Sequence, residues 1–172
     1  MITETSTKEE LLTAISEAVS DMGDLMESLD ETQVNTVPYE DSWTAGQLFN
    51  HVTKSINGMA GAMLKESEPA ERDPAEKIAD FKKTFLDFSI KMKSPEMILP
   101  DDGPFQKQES IQALTASFEK MKEPTKKANL NELLTGLPMG DVTKLELLHF
   151  VLYHTQRHLH QMHKIADALK SK

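Results

Sequence analysis

Apolar residues recur at steps of four and three over residues 7 to 30, at Leu11, Ile15, Ala18, Met22, Leu25 and Leu29, while Glu9, Glu17 and Asp24 fall off that line. One apolar stripe at a period near 3.6 predicts an amphipathic helix. The following ETQVNTVPYEDS contains Pro38 and has no period. Thr44 and Gln47 in WTAGQ then show the spacing of a capping box, in which each side chain satisfies the other residue's backbone amide, so a second helix is expected from about Ala45 to Leu64.

The charged ESEPAERDP breaks the pattern, and Asp73 before Pro74 has the character of an N-cap and first helical residue. Residues 74 to 92 place Ile78, Phe81, Phe85 and Phe88 on one face, a third helix. SPEMILPDDGP is read as a loop, and residues 108 to 128 carry Ile111, Leu114, Phe118 and Met121 on a fourth helical stripe. After TGLPMGDV, Thr143 and Glu146 form a second capping-box pair, and no proline or glycine interrupts the chain from there to Lys172. No period-two segment or internal repeat occurs, so sheet and solenoid readings are rejected. The expected fold is all-α, one domain over residues 1–172, an antiparallel four-helix bundle with residues 74 to 92 as an additional helix.

Composition narrows the chemistry. The chain has no cysteine, which removes disulfides, thiolate metal sites and cysteine nucleophiles and leaves histidine and carboxylate as the strong metal ligands. A formal net charge of -9, with lysines scattered among acids, opposes a phosphate backbone, so no nucleic-acid partner is expected. MITETSTKEE lacks the layout of a secretory signal and no segment approaches about 18 consecutive apolar residues, so a cytoplasmic protein with no membrane partner is expected.

Extending the stripe of the last helix from Leu147 gives Val151, His154, His158, Gln161, Ile165 and Ala168, so its middle is polar. His149, His160 and His163 fall off the line and are expected outside or at a boundary. Histidines four apart lie about 5 to 6 Å apart at Cβ, close enough to reach one ion. The second helix gives Leu48, His51, Ser55, Gly58 and Ala62, an inward histidine among small neighbours that leave room for a ligand. A lone inward histidine is more often a hydrogen-bonded core residue, but three need partners that one cation supplies together. Spacing leaves both readings open. The HExxH peptidase pattern is absent, because Thr155 follows His154.

With these residues in view, WTAGQLFNHV and LPMGDVTKLELLHFVLYHTQRHLHQ resemble the DinB/YfiT-like superfamily of metal-binding helical bundles, which is distinct from the DNA polymerase of similar name. The likeness spans nearly the whole chain in order and spacing, its specificity resting on the single histidine of the second helix combined with HxxxH in the last. It implies a divalent metal, zinc or nickel, on His51, His154 and His158, and relatives that are thiol transferases or isomerases using low-molecular-weight thiols. One departure is Leu137 in LPMG, where relatives often carry histidine.

Three neutral imidazoles leave a divalent ion an open position. The expected activity joins a low-molecular-weight thiol, as co-substrate, to a small electrophile; a non-catalytic metal- or ligand-binding protein is the alternative. Gln161 could fix a ligand tautomer, contact substrate, or stand as a polar residue beside a wet cavity. Arg157, flanking the ligands with Tyr153, could bind a cofactor carboxylate, with a surface ion pair the simpler reading. Trp43 is expected to staple the second helix, and Met22, Met26, Met59 and Met63 to fill the core. A homodimer through exposed helix faces is expected.

Overall fold

A computed structural model describes residues 1–171. The helices are α1 (Lys8–Glu27), α2 (Glu31–Val34), α3 (Ala45–Met63), α4 (Ile78–Leu86), α5 (Lys107–Lys127) and α6 (Lys144–Lys170), with a 3₁₀ turn at Glu96–Ile98. The long helices α1, α3, α5 and α6 form a four-helix bundle in which α1 packs on α6 and α5, and α3 packs on the same two. The short α4 lies against α6 as the additional helix. The last helix was expected through Lys172, which lies outside the described residues. No helix among the described residues is long and apolar enough to cross a membrane.

The expected stripes are the buried faces. Leu11, Ile15, Ala18 and Met22 of α1 meet Leu48, Val52 and Ile56 of α3, Leu114, Phe118 and Met121 of α5, and Leu147, Val151 and Ile165 of α6 in one core. Both expected capping boxes form, at Thr44 with Gln47 and at Thr143 with Glu146. Two more start α1, at Thr7 with Glu10, and the unexpected one-turn α2, at Asp30 with Gln33.

Two regions differ from the sequence reading. The expected helix over 74 to 92 shrinks to Ile78–Leu86. Asp73 does not cap it; its Oδ1 accepts from the Ala75 amide at 2.9 Å in a local turn, and Phe88 lies beyond the helix, exposed. The rejected sheet exists in miniature, with β1 (Glu68–Pro69), β2 (Glu132–Leu134) and β3 (Val142–Thr143) in the order β1-β2-β3, antiparallel throughout. Strands of two or three residues are too short to show an alternation. They tie the α3–α4 and α5–α6 connections together at the start of α6.

Glu146 is the hub of that end. Its side chain is wholly buried, and its two oxygens accept from Arg72 Nη1 and Nη2, both at 2.7 Å, and from the Lys77 and Thr143 amides, both at 2.8 Å. One carboxylate thereby caps α6 and anchors the turn before α4. Burial alone would raise its pKa, but the Arg72 guanidinium and then the two amides outweigh it and hold the carboxyl below its ordinary value. The folded chain binds this proton more weakly than the unfolded chain does. The stabilisation is therefore complete above the unfolded carboxyl range, near about pH 4.3, and lost as pH falls through the lower folded value.

At the other end, Gly46 lets a loop approach α3. A Cβ there would lie 2.6 Å from Cδ2 and 2.7 Å from Cβ of Phe105. Phe105 cannot readily retreat, because Asn35 accepts from its amide at 2.7 Å and donates to its carbonyl at 2.9 Å.

Two outcomes are expected in chemical denaturation. Gly46→Ala lowers stability by about 1–3 kcal/mol through overpacking. Glu146→Gln strands part of the Arg72 charge and costs about 2–4 kcal/mol at pH 7, and the gap between wild type and variant narrows below about pH 4; a gap independent of pH would refute the role assigned to the carboxylate.

Candidate metal centre

The Thr44 cap starts α3 so that His51 comes two turns in, facing α6. The uninterrupted α6 presents His154 and His158 on the opposing face, and all three imidazoles are buried. The Nε2 of His158 lies 3.1 Å from that of His51 and 3.1 Å from that of His154, and the three ligand atoms fall within 4.8 Å of one another. These separations are close to the ~3.4 Å expected between nitrogens sharing a tetrahedral ion at about 2.1 Å.

The outer nitrogens fix the tautomers. His51 Nδ1 lies 2.8 Å from the Ile98 carbonyl oxygen, and His158 Nδ1 lies 3.0 Å from Gln161 Oε1. The Ile98 carbonyl oxygen only accepts, so His51 Nδ1 carries the hydrogen and its Nε2 is bare; the Gln161 amide, with its oxygen toward the ring, selects the same tautomer for His158. The 3.1 Å contact between His51 and His158 is thus two lone pairs facing each other without a hydrogen between them. A cation among the three nitrogens satisfies them all, and this donor set fits a divalent ion with nitrogen preference.

Electrostatics keep the rings neutral. Burial pushes His51 below its ordinary value and Lys54 adds to the decrease, against the upward pull of the Ile98 carbonyl. Burial drives His154 down to about 3, assisted by His51 and Arg157. His158 is held well below the ordinary value by burial, then by His154 and His51. Aromatic walls exclude water from the rings: Trp43 tilts over His51 at 4.9 Å, while Phe150 stacks on His154 at 5.5 Å and Phe85 meets it edge-on at 5.9 Å.

The tripod opens into a cavity of about 680 Å³. Its roof is the segment from Met92 to Leu99, anchored at both ends. On one side, Arg157 donates to the carbonyls of Phe85 at 3.2 Å, Asp87 at 3.0 Å and Ile90. On the other, His51 holds Ile98, Lys54 donates to the Leu99 carbonyl at 2.9 Å and the Asp101 carboxylate at 2.8 Å, and Asn50 accepts from the Asp101 amide.

The sequence-selected residues thus divide. His51, His154 and His158 converge, and Gln161 touches His158. Arg157 lines the cavity but makes no surface ion pair among the described residues, because its guanidinium is taken up by backbone carbonyls. Trp43 packs on His51 instead of only closing the helix start. Met59 lines the cavity, whereas Met22, Met26 and Met63 are core. Gly58 faces solvent, not the cavity, with nothing near its missing Cβ. His149, expected outside or at a boundary, is wholly buried, its ring nitrogens 3.1 Å from the Leu145 carbonyl and 3.2 Å from that of Thr3, because the N-terminal segment covers that face. Tyr153 is buried beside His149, away from the cavity lining. His160 is half-buried and stacks on Phe88 at 4.0 Å, and His163 is exposed.

The sequence reading missed the roof, which has no periodicity, and Asp41, which lines the cavity in a left-handed conformation at φ 61°. Phe150 was within reach of it, one turn before His154 on the same helix.

No match is found among curated protein sequences. Among solved structures, YfiT from Bacillus subtilis, described as a probable metal-dependent hydrolase with an unusual four-helix bundle topology, superposes with a TM-score of 0.61 at 11% identity, covering 97% of this chain and 89% of that one. The family model of the DinB superfamily matches residues 14–162. With the helical order, the bundle and the three-histidine cluster in agreement, the chain belongs to the DinB superfamily.

Proposed function

We propose that this chain binds one divalent metal ion, zinc or nickel, through His51, His154 and His158, and transfers a low-molecular-weight thiol to a small electrophile. The observation that carries the metal reading is the pair of bare Nε2 atoms on His51 and His158, turned toward each other at 3.1 Å by their own outer hydrogen bonds. When bound, such an ion keeps an open position and holds a thiol as thiolate or lowers the pKa of water to about 7.

The chain's own residues supply the rest. Ile98 and Gln161 orient two of the ligands, Trp43, Phe85 and Phe150 keep water from the rings, and the cavity gives an electrophile access to the open side. With no cysteine in the chain, the thiol must come from a co-substrate. The less favoured arginine reading, a contact to a cofactor carboxylate, is not part of this proposal, since the Arg157 guanidinium is committed to the backbone beside the roof.

A hydrolytic reading draws on the description of YfiT and on Asp41, the one carboxylate among the cavity-lining residues. As a general base it would act on water. A non-catalytic binding protein shares the metal site and differs in turnover alone.

Metal analysis of protein purified without an affinity tag is expected to give one ion per chain, or one equivalent taken up on zinc titration. The fluorescence of Trp43, the only tryptophan, reports the uptake. His154→Ala weakens binding by more than about 100-fold, beyond the range typical of outer partners; no uptake by the wild type overturns the metal reading. In a thiol-conjugation assay across an electrophile panel, activity is expected in the wild type and in Asp41→Asn and lost in His154→Ala. Ester or amide hydrolysis that falls about 100-fold or more in Asp41→Asn instead selects the hydrolase, and metal uptake without turnover of either kind selects the binding protein.

A further inference from the structure

Four of the chain's ten methionines line the one cavity above the tripod, and they come from three separate parts of the chain. Met59 stands on α3, Met92 and Met97 on the roof, and Met139 in the β2–β3 connection. Helical periodicity cannot account for that convergence, because three of the four lie outside long helices. Core filling cannot account for it either: Met92 is 44% and Met97 71% exposed, although apolar side chains of their size gain about 2 kcal/mol by leaving water.

Apart from the Ser55 hydroxyl, one turn beyond His51, the polar side chains named around the tripod are already committed. Arg157 is spent on three carbonyls, Gln161 on His158, and the outer nitrogen of His51 on Ile98. The charged side chains remaining in the lining, Asp41 and Lys93, are exposed and of opposite sign. A molecule reaching the histidines therefore meets thioethers, with Pro95 and Pro138 between them, before it meets an available charge. The roof can also adapt, since its hydrogen-bonded anchors reach inward only to Ile90 on one side and Ile98 on the other. Methionine is unbranched and polarisable, and it moulds to apolar partners of differing shape where leucine or phenylalanine would select one.

We infer that Met59, Met92, Met97 and Met139 form an adaptable apolar channel that takes the tail of a ligand whose head group reaches the histidine tripod. The substrate class is then a small molecule with an alkyl or aryl tail of variable length, not a compact polar metabolite. This rests on the metal reading above and adds to it the part of the ligand that this particular chain selects.

The test uses the full chain loaded anaerobically with cobalt(II), titrated with n-alkanethiols of two to eight carbons, with binding read from the sulfur-to-cobalt charge-transfer absorption. Affinity is expected to rise about fourfold per added methylene, the increment for a methylene leaving water, across most of the series. In the Met92→Ser/Met97→Ser double variant the increment falls toward unity for the longer chains, while ethanethiol binds as it does to the wild type. Both positions are exposed, so the fold is expected to survive, and an unchanged far-ultraviolet dichroism spectrum checks it. A chain-length series that is flat in the wild type, or equally steep in the double variant, overturns the inference and leaves the metal site standing. Failure to take up cobalt at all overturns the metal reading and this inference with it.

Discussion

Three imidazoles buried between two helices impose one constraint on everything around them: they must be dry, neutral and turned inward together. Exclusion of water comes from Trp43, Phe85 and Phe150, the aromatic residues against the rings. Neutrality follows from the same burial, which depresses all three values, most strongly for the two on α6. Orientation comes from two oxygens on the far side, one from the backbone at Ile98 and one from Gln161. Each device depends on the others, since an imidazole reached by water could relieve its opposed lone pair with a proton instead of a shared cation.

The site needs α3 and α6 at a fixed rotation, and the ends of the bundle supply it. Glu146, one turn into α6, is pinned by Arg72 and two amides, and the small sheet holds the connections that lead into that helix. A buried charge with four donors tolerates little rotation, because turning the helix would leave oxygens or amides unpaired. At the start of α3, the bare Gly46 allows Phe105 to sit against the first turn. The polar hub at one end and the close contact at the other frame the helical segments from Glu146 to His154 and from Gly46 to His51.

How much of this was legible in the sequence followed from the range of each interaction. The stripes of α1, α3, α5 and α6, both expected capping boxes and the inward set of His51, His154 and His158 depend on spacing within single helices, which the chain displays directly. His149 was misplaced because its burial is decided by Thr3, nearly the whole chain away. Phe85 and Phe88 share a face on paper, yet the helix ends between them where Arg157 captures the carbonyls of Phe85 and Asp87. The three strands escaped notice because their pairing lies between connectors and not within any segment long enough to alternate. The DinB resemblance carried the histidines to the same three positions as the stripes, but it contained nothing about the roof.

The roof is held almost entirely by main-chain atoms: the carbonyls of Phe85, Asp87, Ile90, Ile98 and Leu99 meet Arg157, His51 and Lys54. Main-chain acceptors are indifferent to the side chains they carry. Lineages of this protein could therefore replace nearly every side chain between Lys91 and Met97 and keep His51 aligned, so long as the number of residues spanning the gap stays the same. Insertions and deletions in this segment should be purged where substitutions drift freely. The cover of the cavity can thus vary over a histidine cluster that does not.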